Sequence, residues 1–109
     1  MKNELIVRKL IAYSGKILQY CHGMNYDTFS QDTKSVEACV FNLSQMGELT
    51  NRLDSAFTQQ HKEIPWHYLY ALRNRIVHDY EGVNLRLVWE IITDDLPPLL
   101  ENLNAILQE

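Results

Sequence analysis

The sequence predicts an all-α fold, an antiparallel four-helix-type bundle with one short extra turn and a proline-kinked last helix. Three observations carry this. Apolar residues recur at alternating steps of three and four along nearly the whole chain, the period of a helix that buries one stripe. No segment alternates apolar and polar residues as a half-buried strand does. The breaks between stripes are short, and short connections join neighbouring helices in opposite directions.

The first stripe is Ile6, Leu10, Tyr13, Ile17, Tyr20 and Met24, on a helix running to about Cys21. His22-Gly23 ends it, because glycine suits a helix C-terminus. Asn25 to Ser30 reads as a short turn or a single helical turn. Asp32 or Thr33 caps the second main helix, whose stripe is Val36, Cys39, Val40, Leu43, Met46, Gly47, Leu49 and Leu53, with Phe57 as its extension. Gly47 costs about 1 kcal/mol relative to alanine inside a helix, so its place on the apolar face points to close approach of a neighbour. Gln59 to Pro65 reads as a loop, with Pro65 at the first position of the next helix. That third helix carries Trp66, Leu69, Leu72 and Ile76 on one face. Glu81-Gly82-Val83-Asn84 is the next break. The last stripe is Leu85, Val88, Trp89, Ile92, Leu96, Leu99, Leu103 and Ile106. Its phase continues through Pro97-Pro98, which implies a kinked helix or two helices nearly in line and not a reversal.

Residues 1–109 fit a single domain, and an apolar fraction of 46% excludes global disorder. The net charge is −4 with histidine neutral. Proteins that grip long nucleic-acid tracts carry a broad positive surface, so any nucleic-acid contact here is expected to be local. Cys21 and Cys39 show no zinc-site spacing and read as small buried hydrophobes. The N-terminal stretch lacks the apolar core of a signal peptide, and no apolar run approaches the roughly 20 residues that span a bilayer. The expectation is a soluble, cytoplasmic chain.

The stretch Tyr70 to Tyr80 breaks the pattern. From His61 to His78 the chain carries Lys62, Arg73 and Arg75 against Glu63 alone, with three histidines. Clustering of this kind is commonly no more than a solvated helix face, but the residue types suit one chemistry. Arginine presents a permanently charged fork of donors that matches phosphate. Histidine takes and returns protons near neutrality. Together they suffice for RNA cleavage without a metal or other cofactor, because the ribose 2′-hydroxyl is a built-in nucleophile. The guanidinium then stabilises charge growing on the phosphoryl oxygens. Geometry sets a condition on this reading. Five residues separate Arg73 from His78, roughly 140° around an ideal helix, so the two do not share a face; Asn74 and His78 do. Either the helix frays near Val77, which Gly82 permits, or a second copy of the chain completes the site.

Arg73-x4-His78-x-Tyr80 resembles the R-x4-H-x-Y signature of HepT-like RNase toxins within the HEPN-domain family. Asn74 matches the polar residue that commonly follows the arginine. Ile64-Pro65-Trp66, Gly47-Glu48, Val88-Trp89-Glu90-Ile91-Ile92 and Asp95-Leu96-Pro97 resemble that family too, so the likeness covers most of the chain. It implies a HEPN-like homodimeric bundle in which two motifs face one cleft. It implies a metal-independent ribonuclease with Arg73 and His78 catalytic and Asn74 supporting. It also implies a cognate antitoxin, a minimal nucleotidyltransferase of the MntA type, which transfers AMP to Tyr80. The alternative is a non-catalytic HEPN adaptor that binds such a nucleotidyltransferase and presents RNA or nucleotide to it.

Other residues read more plainly. Arg75 is surface or RNA-facing support, and His61 and His67 read as solvated. Trp66 and Trp89 belong to the core or a dimer interface. Glu48 either holds Arg73 or Asn74 in place or is solvated.

Overall fold

The computed structural model describes residues 2–76 and 83–108, the side chain of Arg73 excepted. Among them every regular element is helical: α1 (Lys2–Tyr20), α2 (Tyr26–Gln31), α3 (Thr33–Thr50), α4 (Ser55–Gln60), α5 (Trp66–Ile76), α6 (Leu85–Glu90), a π turn (Ile91–Asp95) and α7 (Leu96–Leu107). The all-α reading holds.

In α1 the buried face is Ile6, Val7, Leu10, Ser14 and Ile17. It is rotated slightly from the expected stripe, leaving Tyr13 at its edge and Tyr20 41% exposed. Ser14 explains the rotation. Its hydroxyl donates to the Leu10 carbonyl at 2.8 Å and so is satisfied inside the helix, and its small size admits Met46, whose sulfur lies 3.8 Å away. The helix ends as expected before Gly23, which adopts φ +80°, a conformation glycine reaches without steric cost.

Asn25 and Thr28 form a reciprocal capping box that starts α2, and Phe29 is the buried anchor of that short helix. Asp32 caps α3 by accepting from the Ser35 N–H at 3.1 Å. Contacts along α1 and α3 run in opposite order: Lys2 and Asn3 meet Asp54, Ser14 meets Met46, and Cys21 meets Cys39. The two helices are therefore antiparallel. Lys2, and then Asn3, hold the exposed Asp54 carboxyl below its usual range. Gly47 is buried in α3, the helix that packs on both α1 and α5.

Phe57 does not extend the α3 stripe. The chain turns at Asn51–Asp54, and Phe57 lies on the separate helix α4, which also takes in Gln59 and Gln60 of the expected loop. There its ring meets His61 (centroids 4.6 Å apart) and Trp66 (6.1 Å). Pro65 lies one residue before α5, at the cap and not at the expected first helical position; its carbonyl accepts from the Leu69 N–H at 3.0 Å, and Trp66, Leu69, Leu72 and Ile76 are all buried.

Asn84 caps α6 by accepting from the Leu87 N–H at 3.0 Å. Its continuation runs through the π turn into α7, with Val88, Ile91, Ile92, Leu96, Leu99, Leu103 and Ile106 all buried. The chain does not reverse at the prolines. Pro97 and Pro98 have no N–H to donate, and in an α-helix their rings would press on the carbonyls of Thr93 and Asp94. Widening the preceding turn relieves this: the Leu96 N–H donates to Ile91, five residues back. α1 packs on α7, and α2 packs on α3 and α6. No helix among the described residues is long and apolar enough to cross a membrane.

Candidate functional site

The motif lies at the far end of α5. Leu69, Leu72 and Ile76 anchor that helix in the core. Arg73 and Asn74 follow Leu72 on the same helix, and Asn74 is exposed. Both therefore stand on a packed scaffold, which suits a site that must hold its geometry. The structure brings Arg73 and Asn74 together as consecutive residues of α5. His78, Tyr80 and the expected fraying near Val77 lie outside the described residues.

The last described turn of α5 is braced from the side. The Arg75 guanidinium sits 5.0 Å from the centroid of the Tyr68 ring, a cation–π distance. The Tyr68 hydroxyl donates to Asp95 at 2.5 Å. Desolvation, followed by Asp95, pushes the Tyr68 phenol up to about 12. Arg75 is thus tied through one aromatic ring to the π turn that precedes α7. Local sequence carries no sign of this brace, since Tyr68 and Asp95 are 27 residues apart. Tyr68, Asp95, Pro98 and Asn102 also line an open cavity of about 390 Å³ beside the start of α5.

His61 is not solvated, contrary to its sequence reading. It is 7% exposed, with Nδ1 3.4 Å from Glu63 and its carbonyl accepting from the Trp66 indole at 2.9 Å. Phe57 and Trp66, its near neighbours in sequence, close over it. His67, the second residue of α5, is exposed as expected. Glu48 is exposed on α3 and has a polar or electrostatic partner. Among the described residues no three His, Cys, Asp or Glu side chains converge as a metal ion would require.

Residues 10–106 match the model of the HepT-like ribonuclease family. A protein of Caldanaerobacter subterraneus subsp. tengcongensis, provisionally named an RNase, is 32% identical over 104 residues, covering 89% of this chain and 93% of the relative. A probable ribonuclease HepT of Thermococcus cleftensis is 29% identical over 83 residues, covering 76% of each chain. A further relative from Methanocaldococcus jannaschii, also provisionally named an RNase, is 26% identical over 93 residues, covering 85% of this chain and 77% of its own. No solved structure gives a significant match. With the family model spanning nearly the whole helical core, the chain belongs to the HepT-like ribonuclease family.

Proposed function

We propose that the chain is a metal-independent endoribonuclease, the toxin of a toxin–antitoxin pair, acting as a homodimer through Arg73 and His78. The observation that carries the reading is the Arg73-x4-His78-x-Tyr80 motif in a chain of the HepT-like ribonuclease family. The ribose 2′-oxygen attacks phosphorus while the bond from phosphorus to the 5′-oxygen breaks. His78 either accepts the 2′-hydroxyl proton or supplies a proton to the departing 5′-oxygen. Arg73 stabilises the charge that accumulates on the phosphoryl oxygens, and Asn74 supports the phosphate from the same helix. The products are a 2′,3′-cyclic phosphate and a free 5′-hydroxyl. A nucleotidyltransferase antitoxin neutralises the enzyme by transferring AMP from ATP to the Tyr80 phenol oxygen, which loses its proton as pyrophosphate leaves. The added phosphate next to Arg73 and His78 occupies the anion site and repels RNA.

Purified protein is expected to cut RNA in the presence of EDTA, and His78→Ala to abolish the cutting. Undiminished cleavage by the variant removes His78 from the mechanism. The net charge of −4 favours the second reading, a non-catalytic adaptor, for which wild-type protein leaves RNA intact yet binds the nucleotidyltransferase tightly.

A further inference from the structure

α1 and α3 enclose an open groove of about 360 Å³, away from the α5 motif in sequence and built from side chains with no role in the mechanism above. Its α1 wall carries Lys9, Tyr13 and Lys16; the other wall carries Gln45 and Glu48 of α3 and Arg52 of the turn that follows it. The spacing 9-13-16 puts three side chains on one face of α1, and Gln45 and Glu48 share a face of α3. The antiparallel pairing of Ser14 with Met46 and of Cys21 with Cys39 sets the register. It places Arg52 across from Lys9 at one end and Gln45 across from Lys16 at the other, with Tyr13 between them.

The charge of this groove is unusual for the chain. The described lining holds three cations against one carboxylate, Glu48, in a protein of net charge −4. The other cations of α1 are committed: Lys2 pairs with Asp54 and Arg8 with Glu4. Among the described residues no carboxylate lies within ion-pair distance of Lys9, Lys16 or Arg52. All three are exposed. Tyr13 is half-buried between them, so one part of its ring is fixed by packing and the rest faces the groove.

We infer that this groove binds a single-stranded segment of RNA, with Lys9, Lys16 and Arg52 on phosphates and Tyr13 as a stacking platform for a base. Cations interleaved with an aromatic ring are the composition of single-strand binding surfaces. Seven residues of helix from Lys9 to Lys16 span about 10 Å, roughly three stacked nucleotides at about 3.4 Å each. The groove would hold the substrate away from the scissile bond, which resolves how an acidic protein retains RNA. The choice of RNA as ligand rests on the ribonuclease reading.

The test uses the full chain and a fluorescent 2′-O-methyl RNA strand of about a dozen nucleotides, which cannot be cleaved because its nucleophile is blocked. Anisotropy across a salt series should show Lys9→Gln/Lys16→Gln/Arg52→Gln binding roughly tenfold or more weakly, with a salt slope lower by about 2, near 0.7 per lost phosphate contact. Tyr13→Leu should weaken binding and leave the slope unchanged. Lys34→Gln, which removes an exposed cation elsewhere, should bind as wild type does; circular dichroism verifies folding of each variant. Equal affinity and slope for wild type and the triple variant overturn the proposal, as does equal weakening by the Lys34→Gln control. Cleavage is measured separately. Under the proposal the triple variant has a raised KM on long RNA and unchanged turnover of a dinucleotide. Absence of cleavage by wild type defeats the ribonuclease reading, while the anisotropy series still decides the groove.

Discussion

The hydroxyl of Tyr68 lies 2.5 Å from the carboxylate of Asp95, which joins the first turn of α5 to the last residue of the π turn. Neither residue belongs to the motif, but Arg75, two residues beyond Arg73, rests on the same ring. The bond lies at the surface, with Asp95 exposed, where a hydrogen bond contributes a net of about 0.5–1.5 kcal/mol.

Tyr68→Phe removes that bond and keeps the ring under Arg75. The variant is expected to lose about 0.5–1.5 kcal/mol in urea unfolding, since water can take the place of the donor at the exposed Asp95 oxygen. The pH dependence has a definite sign. The Tyr68 phenol is raised to about 12 in the folded protein, from an ordinary value of 10.0. Its contribution is therefore intact below pH 10 and lost as pH rises toward 12. Wild type should approach the stability of Tyr68→Phe across that window. A constant difference between the two from pH 9 to pH 12 contradicts the assignment.

Phe29 pins α2 to the bundle. It is fully buried, and its ring centroid lies 5.0 Å from that of Trp89, while Arg86 covers Tyr26 at 3.7 Å on the same short helix. Phe29→Ala is expected to cost about 3–5 kcal/mol, a large share of the total for a small domain. Phe29→Leu, nearer in volume, should cost about 1 kcal/mol and leave the protein folded, with Trp89 fluorescence altered by loss of the stacked ring. An unchanged emission spectrum in the folded variant would show that the two rings do not meet.

The helices were legible because their signals are local. Steps of three and four, the Asp32 cap, Gly23 and Pro65 each act within one or two turns, and each element they mark is present. The helix through Pro97-Pro98 was legible in direction but not in device, since periodicity cannot distinguish a kink from a π turn that opens ahead of the rings. What depended on packing between elements was not legible. His61 has the composition of a solvated residue, and only Phe57 and Trp66 closing over it make it buried. The same holds for Tyr68 with Asp95, and for the α1–α3 groove, whose walls lie at least 29 residues apart in sequence. The motif itself could be read because it is contiguous, with Arg73 and Asn74 carried on α5. The arrangement of His78 and Tyr80 relative to them depends on chain beyond that helix's described end.

Cys21 and Cys39 follow the reading of small buried residues. Both are free and buried, with sulfurs 3.6 Å apart. The neighbouring Cys21 sulfur, together with burial, pushes the Cys39 thiol well above its usual range, so that it stays protonated. Thiolate is the reactive form. Cys39 should therefore resist a thiol reagent in the native protein at pH 8 and react fully in concentrated urea. Labelling of the wild-type protein, with the modified cysteine located by peptide mass spectrometry, checks this; equal rates at Cys39 in native and denatured protein would contradict the burial.

Tyr80 and Arg73 separate neutralisation from catalysis under the proposed function. Phenol removal by Tyr80→Phe deletes the acceptor oxygen for AMP but leaves the proposed phosphate and proton groups in place. The variant should cleave RNA at a rate within a few-fold of wild type and gain no AMP mass when incubated with the nucleotidyltransferase and ATP. Arg73→Lys keeps the charge but replaces a planar fork with a single ammonium. Removing one group that stabilises transition-state charge costs about 10²–10³ in kcat, and the lysine should recover only part of that because it cannot grip two phosphoryl oxygens at once. If Tyr80→Phe itself abolishes cleavage, the phenol belongs to the reaction and AMP transfer would inactivate by removing a reacting group instead of by blocking the anion site. If Arg73→Lys retains full activity, charge alone accounts for the role of Arg73 and the bidentate argument fails.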